Sequence, residues 1–181
     1  MGRLKILVDK VLKMSIFEKG ASKIYIEKIN FNKLIDEVLN SMKIQFEKEN
    51  TLVNKEVKGE DFTIEADKIH LTNVIYNLLD NAIKYSETDP QIDIKLEESN
   101  GHVDLYLKDN GIGIPKADQS KVFQRFYRVP TGDTHNVKGH GLGLSYVSSI
   151  IEQHGGKINL ESDLEKGSIF HIRLNKSHDK H

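Results

Sequence analysis

Apolar residues at 71, 74, 75, 78 and 82 fall on one face of an α-helix, and Asp67 stands ahead of them as an N-cap. This spacing predicts a helix from Asp67 to about Tyr85. Apolar positions 34, 35, 38, 39, 42 and 46 predict another from Lys33 to about Lys48, capped by Asn30 or Asn32. Positions 4, 7, 8, 11, 12 and 14 predict an amphipathic helix over Leu4 to Phe17. Gly141 and Gly143 open a further helix, Leu144 to His154, which Gly155 and Gly156 stop. The period changes to two elsewhere. Ile24, Ile26 and Lys28 alternate, Leu52 to Val57 and Phe62 to Glu65 read as short strands, and Ile92, Ile94 and Leu96 lead through Asn100–Gly101 to Val103, Leu105 and Leu107, a β-hairpin. Lys157 to Glu161 and Ser168 to Leu174 close the pattern around a turn holding Gly167.

Lys116 to Phe123 reads as a short helix, and Gln124 to Lys138 has no period, with Pro130, Gly132 and Asn136 along it. A loop of about 15 residues inside a compact domain tends to be a functional lid. Helices interleave with hairpin strands, so the expected fold class is α+β: a two-layer α/β sandwich with a mixed, mainly antiparallel sheet and one layer of helices.

Composition narrows this without changing it. Lys and Arg number 26 against 27 Asp and Glu, a formal charge of −1, which removes the electrostatic basis for non-specific nucleic-acid binding. Cys is absent, which excludes disulfides and Cys-ligated metals and suits a reducing, intracellular compartment. No apolar run approaches the roughly 20 residues a membrane span needs, and the N-terminal residues lack the continuous apolar core of a signal peptide. An apolar share of 38% is enough for a core.

Four clusters carry candidate chemistry. On the helix Asp67–Tyr85, residues Asn77, Asn81 and Lys84 share a sector of about 60°, beside the apolar stripe. Amide oxygens suit Mg²⁺, and a Lys one turn on suits phosphate, although an amphipathic helix with a solvated polar edge has the same pattern. Asp109-Asn110-Gly111-Ile112-Gly113 follows a strand. Its glycines admit a ligand close to the backbone, and its carboxylate would accept from the exocyclic amine of adenine and repel the guanine carbonyl; it is also ordinary turn chemistry. Phe123 to Arg128 places aromatics and two Arg at the start of the lid. Gly139-His140-Gly141-Leu142-Gly143-Leu144 opens a helix whose amides suit phosphate, a weak signal alone.

In this order the four clusters resemble the N box, first glycine box, F box and second glycine box of the ATP-binding catalytic domain of bacterial sensor histidine kinases, with Gly167-Ser168-Ile169-Phe170 similar to its closing Gly-Ser/Thr-x-Phe. The resemblance covers about residues 22 to 174 and implies a Bergerat-type sandwich that binds ATP and Mg²⁺ under a lid. It divides the chain into 1–20, the end of a dimerisation and phosphoacceptor hairpin; 21–176, the catalytic domain; and 177–181, a polar tail. By position it makes Asn81 the Mg²⁺ ligand with Asn77 in support, sets Lys84 at phosphate and packs Tyr85 on adenine. Asp109 reads the adenine amine and Gly111 and Gly113 frame the base. Gly141, Gly143 and Leu144 sit at the phosphates, and Arg128 approaches the γ-phosphate. His140 stands where the family often has a small hydroxyl residue, and its role is open.

The resemblance also implies an activity. Hydrolytic members of the superfamily carry Glu one turn before the metal-binding Asn; here that residue is Asn77, which has no basicity to take a proton from water. The expectation is a protein-histidine kinase domain that transfers the γ-phosphoryl group to a His on a separate hairpin. None of the eight His in the chain (70, 102, 135, 140, 154, 171, 178 and 181) has the flanking sequence of such an acceptor. The implied partners are that hairpin and a response regulator receiver domain; the implied parent is a homodimer anchored in the inner membrane of a bacterium, with this domain cytoplasmic. A nucleotide-gated binding module and an anti-sigma-type serine kinase of the same fold are the competing readings.

Overall fold

The computed structural model describes residues 24–130 and 141–176. The helix predicted over Leu4–Phe17, the hairpin remnant and the polar tail fall outside the described residues, as do Gly139, His140 and most of the lid segment. Strand β1 (Glu27–Asn30) runs into helix α1 (Phe31–Ser41), and the Asn30 side chain caps it by accepting the Lys33 N–H at 3.0 Å. The single predicted helix to Lys48 is two. Met42 leaves helical geometry (φ −95°, ψ 1°), its N–H shared between the Val38 and Leu39 carbonyls, and α2 (Lys43–Lys48) follows. Met42 and Phe46 both lie in the core across this break.

Strand β2 (Leu52–Lys58) is followed by β3 (Thr63–Ala66), which pairs antiparallel with β1 in a small sheet of its own. The strand predicted from Ile24 thus begins at Glu27. Helix α3 (Lys68–Lys84) starts where the Asp67 cap predicts, with Asp67 Oδ1 accepting the His70 N–H at 3.0 Å. Hairpin β4 (Gln91–Ser99) and β5 (His102–Asp109) turns at Asn100–Gly101. Beyond it come the one-turn α4 (Lys116–Gln119), helix α5 (Gly143–Gln153), and strands β6 (Lys157–Asp163) and β7 (Gly167–Asn175).

The main sheet has the order β2-β4-β5-β7-β6. Every pairing is antiparallel except β2 with β4, which run parallel from Leu52↔Gln91. Because side chains alternate across a strand, Ile92, Ile94, Leu96, Val103, Leu105, Leu107, Phe170, Ile172 and Leu174 share the inner face and are buried. They meet the stripes Leu34, Ile35 and Val38 of α1, Leu71 to Ile83 of α3, and Val147, Ile150 and Ile151 of α5. The result is the expected two-layer α+β sandwich with a mixed, mainly antiparallel sheet.

The opposite sheet face is polar. Tyr106 stacks on His171 at 4.3 Å between ring centroids, and Asp104 accepts from His171 Nε2 and Arg173 Nε at 2.6 and 2.8 Å. At the end of β4, Glu98 accepts from the backbone N–H groups of Glu60 and Asp61 and from the Lys176 ammonium. The Lys176 contact first, then the Asp61 and Glu60 amides, hold its carboxyl down to about 2, from an ordinary 4.5.

A carboxyl with a lowered folded-state pKa stabilises the fold above its ordinary value, and that contribution is lost as pH falls toward the lowered one. Glu98→Gln therefore destabilises the chain at pH 7, and the gap to wild type closes between pH 4.5 and about 2. Urea titrations across that range measure it.

Candidate nucleotide site

Strand β5 sets the site. The alternation that buries Val103, Leu105 and Leu107 continues to Asp109, so a carboxylate lands on the core face, only 7% exposed. It is satisfied by backbone: Asp109 Oδ1 accepts the Gly111 N–H at 2.9 Å and the Ser168 N–H at 3.1 Å. Burial nevertheless pushes its pKa above the ordinary 3.8, against those two hydrogen bonds. Among the described residues both bonds fall on Oδ1, which leaves Oδ2 for an incoming donor.

The first glycine turn is tied to the end of α3. Ile112 N–H donates to the Tyr85 carbonyl at 2.9 Å, and a Cβ on Gly111 would stand 2.8 Å from that same oxygen. Gly113 takes φ +73° and passes so close to β6 that a Cβ would lie 2.0 Å from the Asp163 carbonyl, so the turn needs glycine there. Asn110 faces away from this groove: its Oδ1 accepts the Gln91 N–H at 2.8 Å and clips the start of β4.

The second glycine turn meets the middle of α3. A Cβ on Gly143 would lie 3.1 Å from Asn77 Oδ1, so the absence of a side chain lets α5 begin against the amide edge of α3. Asn77 Nδ2 donates to the Asn73 carbonyl at 2.7 Å, which turns Oδ1 toward α5. The residue at the α5 N-cap is Leu142, which makes no side-chain cap, so the helix begins without a competing side-chain acceptor. Phe126 N–H donates to the Gly141 carbonyl at 2.9 Å and closes the base of the lid segment. Phe126 itself stands 68% exposed.

The structure thus joins Tyr85 to Gly111, Gly111 to Asp109 and Asn77 to Gly143, while Asn81 lies one turn beyond Asn77 on α3, Gly113 packs on the end of β6 and Gly141 packs on Phe126 and Tyr127. Three predicted residues stand differently. Lys84 forms an ion pair with Asp80 one turn back rather than reaching toward the glycine turns. Leu144 packs its side chain on the core, so only its backbone can face a phosphate. Arg128 is exposed at the start of the lid. The amide oxygens of Asn77 and Asn81 are hard donors that fit Mg²⁺, and no group of three or more His or acidic side chains among the described residues could hold a metal alone. That donor set suits an ion that keeps water and phosphate oxygens.

Sequence reasoning missed two parts of the site. Ser168 supplies the second amide to Asp109, and its signal was the closing Gly-Ser-x-Phe stretch, read only as a motif. The other is the polar seam between α3 and α5. Tyr25 N–H donates to Asp67 Oδ2 at 2.8 Å, Asp67 N–H to His154 Nε2 at 2.9 Å, and His70 Nδ1 shares a 3.1 Å bond with the Tyr146 hydroxyl. Burial pushes the Tyr146 hydroxyl up to about 12, against a side-chain hydrogen bond with Asn73.

Comparison with known proteins gives the family. Residues 66–178 match the family model of histidine kinase-, DNA gyrase B- and HSP90-like ATPases, and the chain belongs to that family. Within it, this is a sensor histidine kinase catalytic domain of the two-component type. It is 41% identical over 174 residues to sensor protein RprX of Bacteroides fragilis, covering 95% of this chain and 34% of that one. Sensor protein kinase WalK of Staphylococcus saprophyticus is 34% identical over 170 residues, covering 93% and 28%. The chain therefore spans about a third of the length of these curated relatives. The solved catalytic domain of histidine kinase ThkA superposes with a TM-score of 0.74 at 32% identity, over 84% of this chain and 99% of that one. ThkA in complex with the response regulator TrrA gives 0.77 at 30% identity, over 99% and 49%. No helix among the described residues is long and apolar enough to cross a membrane.

Because burial raises the Asp109 pKa, its ionised form costs stability at neutral pH; the contribution present below pH 3.8 is lost as pH rises. Asp109→Asn keeps an Oδ1 for both amides. It unfolds at a higher temperature than wild type at pH 7, and the difference vanishes below pH 3.8 in a thermal melt series.

Proposed function

We propose that this chain binds ATP with Mg²⁺ and presents its γ-phosphoryl group to a histidine on a helical hairpin of the parent kinase. One observation carries the reading: the amide edge of α3 meets both glycine turns, at Tyr85–Ile112 and at Asn77–Gly143, with the buried Asp109 carboxylate between β5 and β7. In this reading adenine lies over the first turn and gives its amine hydrogen to Asp109. The phosphates reach the start of α5, where the backbone N–H groups of Gly143 and Leu144 and the helix dipole favour negative charge. Asn81, with Asn77 in support, would hold Mg²⁺, which supplies charge neutralisation across the phosphates. Tyr85 flanks the base, Arg128 comes to the γ-phosphate from the lid, and Lys84 reaches phosphate by exchanging its Asp80 partner.

Asn77 decides between hydrolysis and transfer. Its amide cannot accept a proton from water and its Nδ2 is already spent on the Asn73 carbonyl, so the residue one turn before Asn81 does not ready water for attack. The work left to the domain is positioning and charge stabilisation, which is most of what phosphoryl transfer asks of a protein. In the transfer the bond between the γ-phosphorus and the β–γ bridging oxygen breaks and ADP leaves, while the unprotonated imidazole nitrogen of the acceptor histidine forms the new bond and the other ring nitrogen releases its proton to water. The phosphoryl group then passes to a response regulator receiver domain. The parent is a homodimeric sensor, anchored in the bacterial inner membrane, with this domain on the cytoplasmic side.

Calorimetry with Mg²⁺ shows ATP binding and weaker GTP binding; equal affinity for the two overturns the reading of Asp109. Asp109→Asn loses ATP affinity by about 10- to 100-fold, the range of a hydrogen bond to a charged group. Asn81→Ala removes the Mg²⁺-dependent part of the affinity.

Incubated alone with γ-labelled ATP, the chain acquires no acid-labile label; a separately supplied acceptor hairpin becomes labelled in its presence. ATP binding with no transfer to the hairpin identifies a nucleotide-gated binding module instead.

A further inference from the structure

Helices α3 and α5 run antiparallel and are pinned at both ends and in the middle, where Tyr146 also bonds the Asn73 side chain. Asp67 at the start of α3 meets His154 at the end of α5, His70 meets Tyr146 in the middle, and Asn77 meets Gly143 at the start of α5. The outer pin is anchored on both sides. Asp67 accepts the His70 and Tyr25 N–H groups, and His154 Nδ1 donates to the Ile150 carbonyl at 2.7 Å, which leaves Nε2 as the acceptor for Asp67. The last contact is a close approach across a missing side chain. It has no bond of its own to hold α5 in register.

We propose that the His70–Tyr146 pair is the positioning element that sets the phosphate-facing start of α5 against the amide edge of α3. Tyr146 lies three residues, about 4.5 Å of helix, from Gly143, so its hydroxyl, bonded to His70 and to the Asn73 side chain of α3, is the nearest polar fastening to the second glycine turn. His70 is held in turn: its backbone N–H is on Asp67 Oδ1, and its Nε2 lies 3.9 Å from Asp67 Oδ2. One carboxylate therefore caps α3 and backs the ring that grips α5. Neither side chain touches the groove beside Asp109, so the pair acts on the phosphate half of the site and leaves the base half alone. The inference rests on the phosphates lying at the start of α5.

The test compares ATP–Mg²⁺ affinity, by calorimetry, with adenosine affinity, by ligand-observed NMR, in this chain and its variants. Tyr146→Phe keeps the ring and removes the hydroxyl. ATP–Mg²⁺ affinity falls roughly five- to tenfold, the worth of one ordinary hydrogen bond, while adenosine affinity stays within twofold. His70→Leu has a smaller effect, because the bond between the Tyr146 hydroxyl and the Asn73 side chain remains, and the double variant adds little to Tyr146→Phe alone, because His70 acts through that hydroxyl. His70→Asn, which can offer an amide atom near the place of Nδ1, restores ATP affinity to within twofold of wild type. Equal losses for ATP and adenosine, or no loss for either, overturn the proposal and reduce the pair to packing. A wild-type chain that binds neither ligand overturns the nucleotide reading itself, and the proposal with it.

Discussion

A carboxylate on the inner face of a sheet is an expensive thing to keep charged, and the candidate site is arranged around one. Asp109 is the last residue of β5 and belongs to the alternating set that faces the helices. The chain answers that burial with backbone, not with a cation: a glycine turn on one side and the first residues of β7 on the other each aim an N–H at Oδ1. This accounts for the closeness of the first glycine turn to both α3 and β6. The turn must fold back over the carboxylate, and it can do so only where side chains are absent.

The other half of the site depends on α3. Its apolar stripe is part of the core, and the neighbouring strip of amides is carried along at the layer's edge as a geometric consequence of a 3.6-residue period. Because the same helix reaches both glycine turns, base and phosphate recognition share one rigid support in the proposed function. Lys84, paired with Asp80, and Leu144, turned into the core, show that residues matching a family pattern do not all present their side chains to the groove.

Much of this was legible in the residues. The Asp67 cap, the stripe from Leu71 to Ala82, the Asn100–Gly101 turn and the glycine punctuation are local signals, read over a few positions. The break at Met42 was not legible, because the apolar spacing continues through it and Met42 is buried like the helical positions on either side. The parallel pairing of β2 with β4 was hidden for a related reason: alternation shows which face a strand buries and is silent on its partner's direction. Asp109 could be placed at a strand end, but its burial became clear only with the register of β5 against β7. The His70–Tyr146 contact joins residues 76 positions apart and leaves no local trace.

The bond from Phe126 to Gly141 has a consequence for how this domain can change. Its two partners stand 15 positions apart, so it closes a loop, and loop-closure entropy grows by only about 0.6 kcal/mol for each doubling of length. Lengthening the chain between Phe126 and Gly141 therefore raises the cost of keeping that neck closed only slightly.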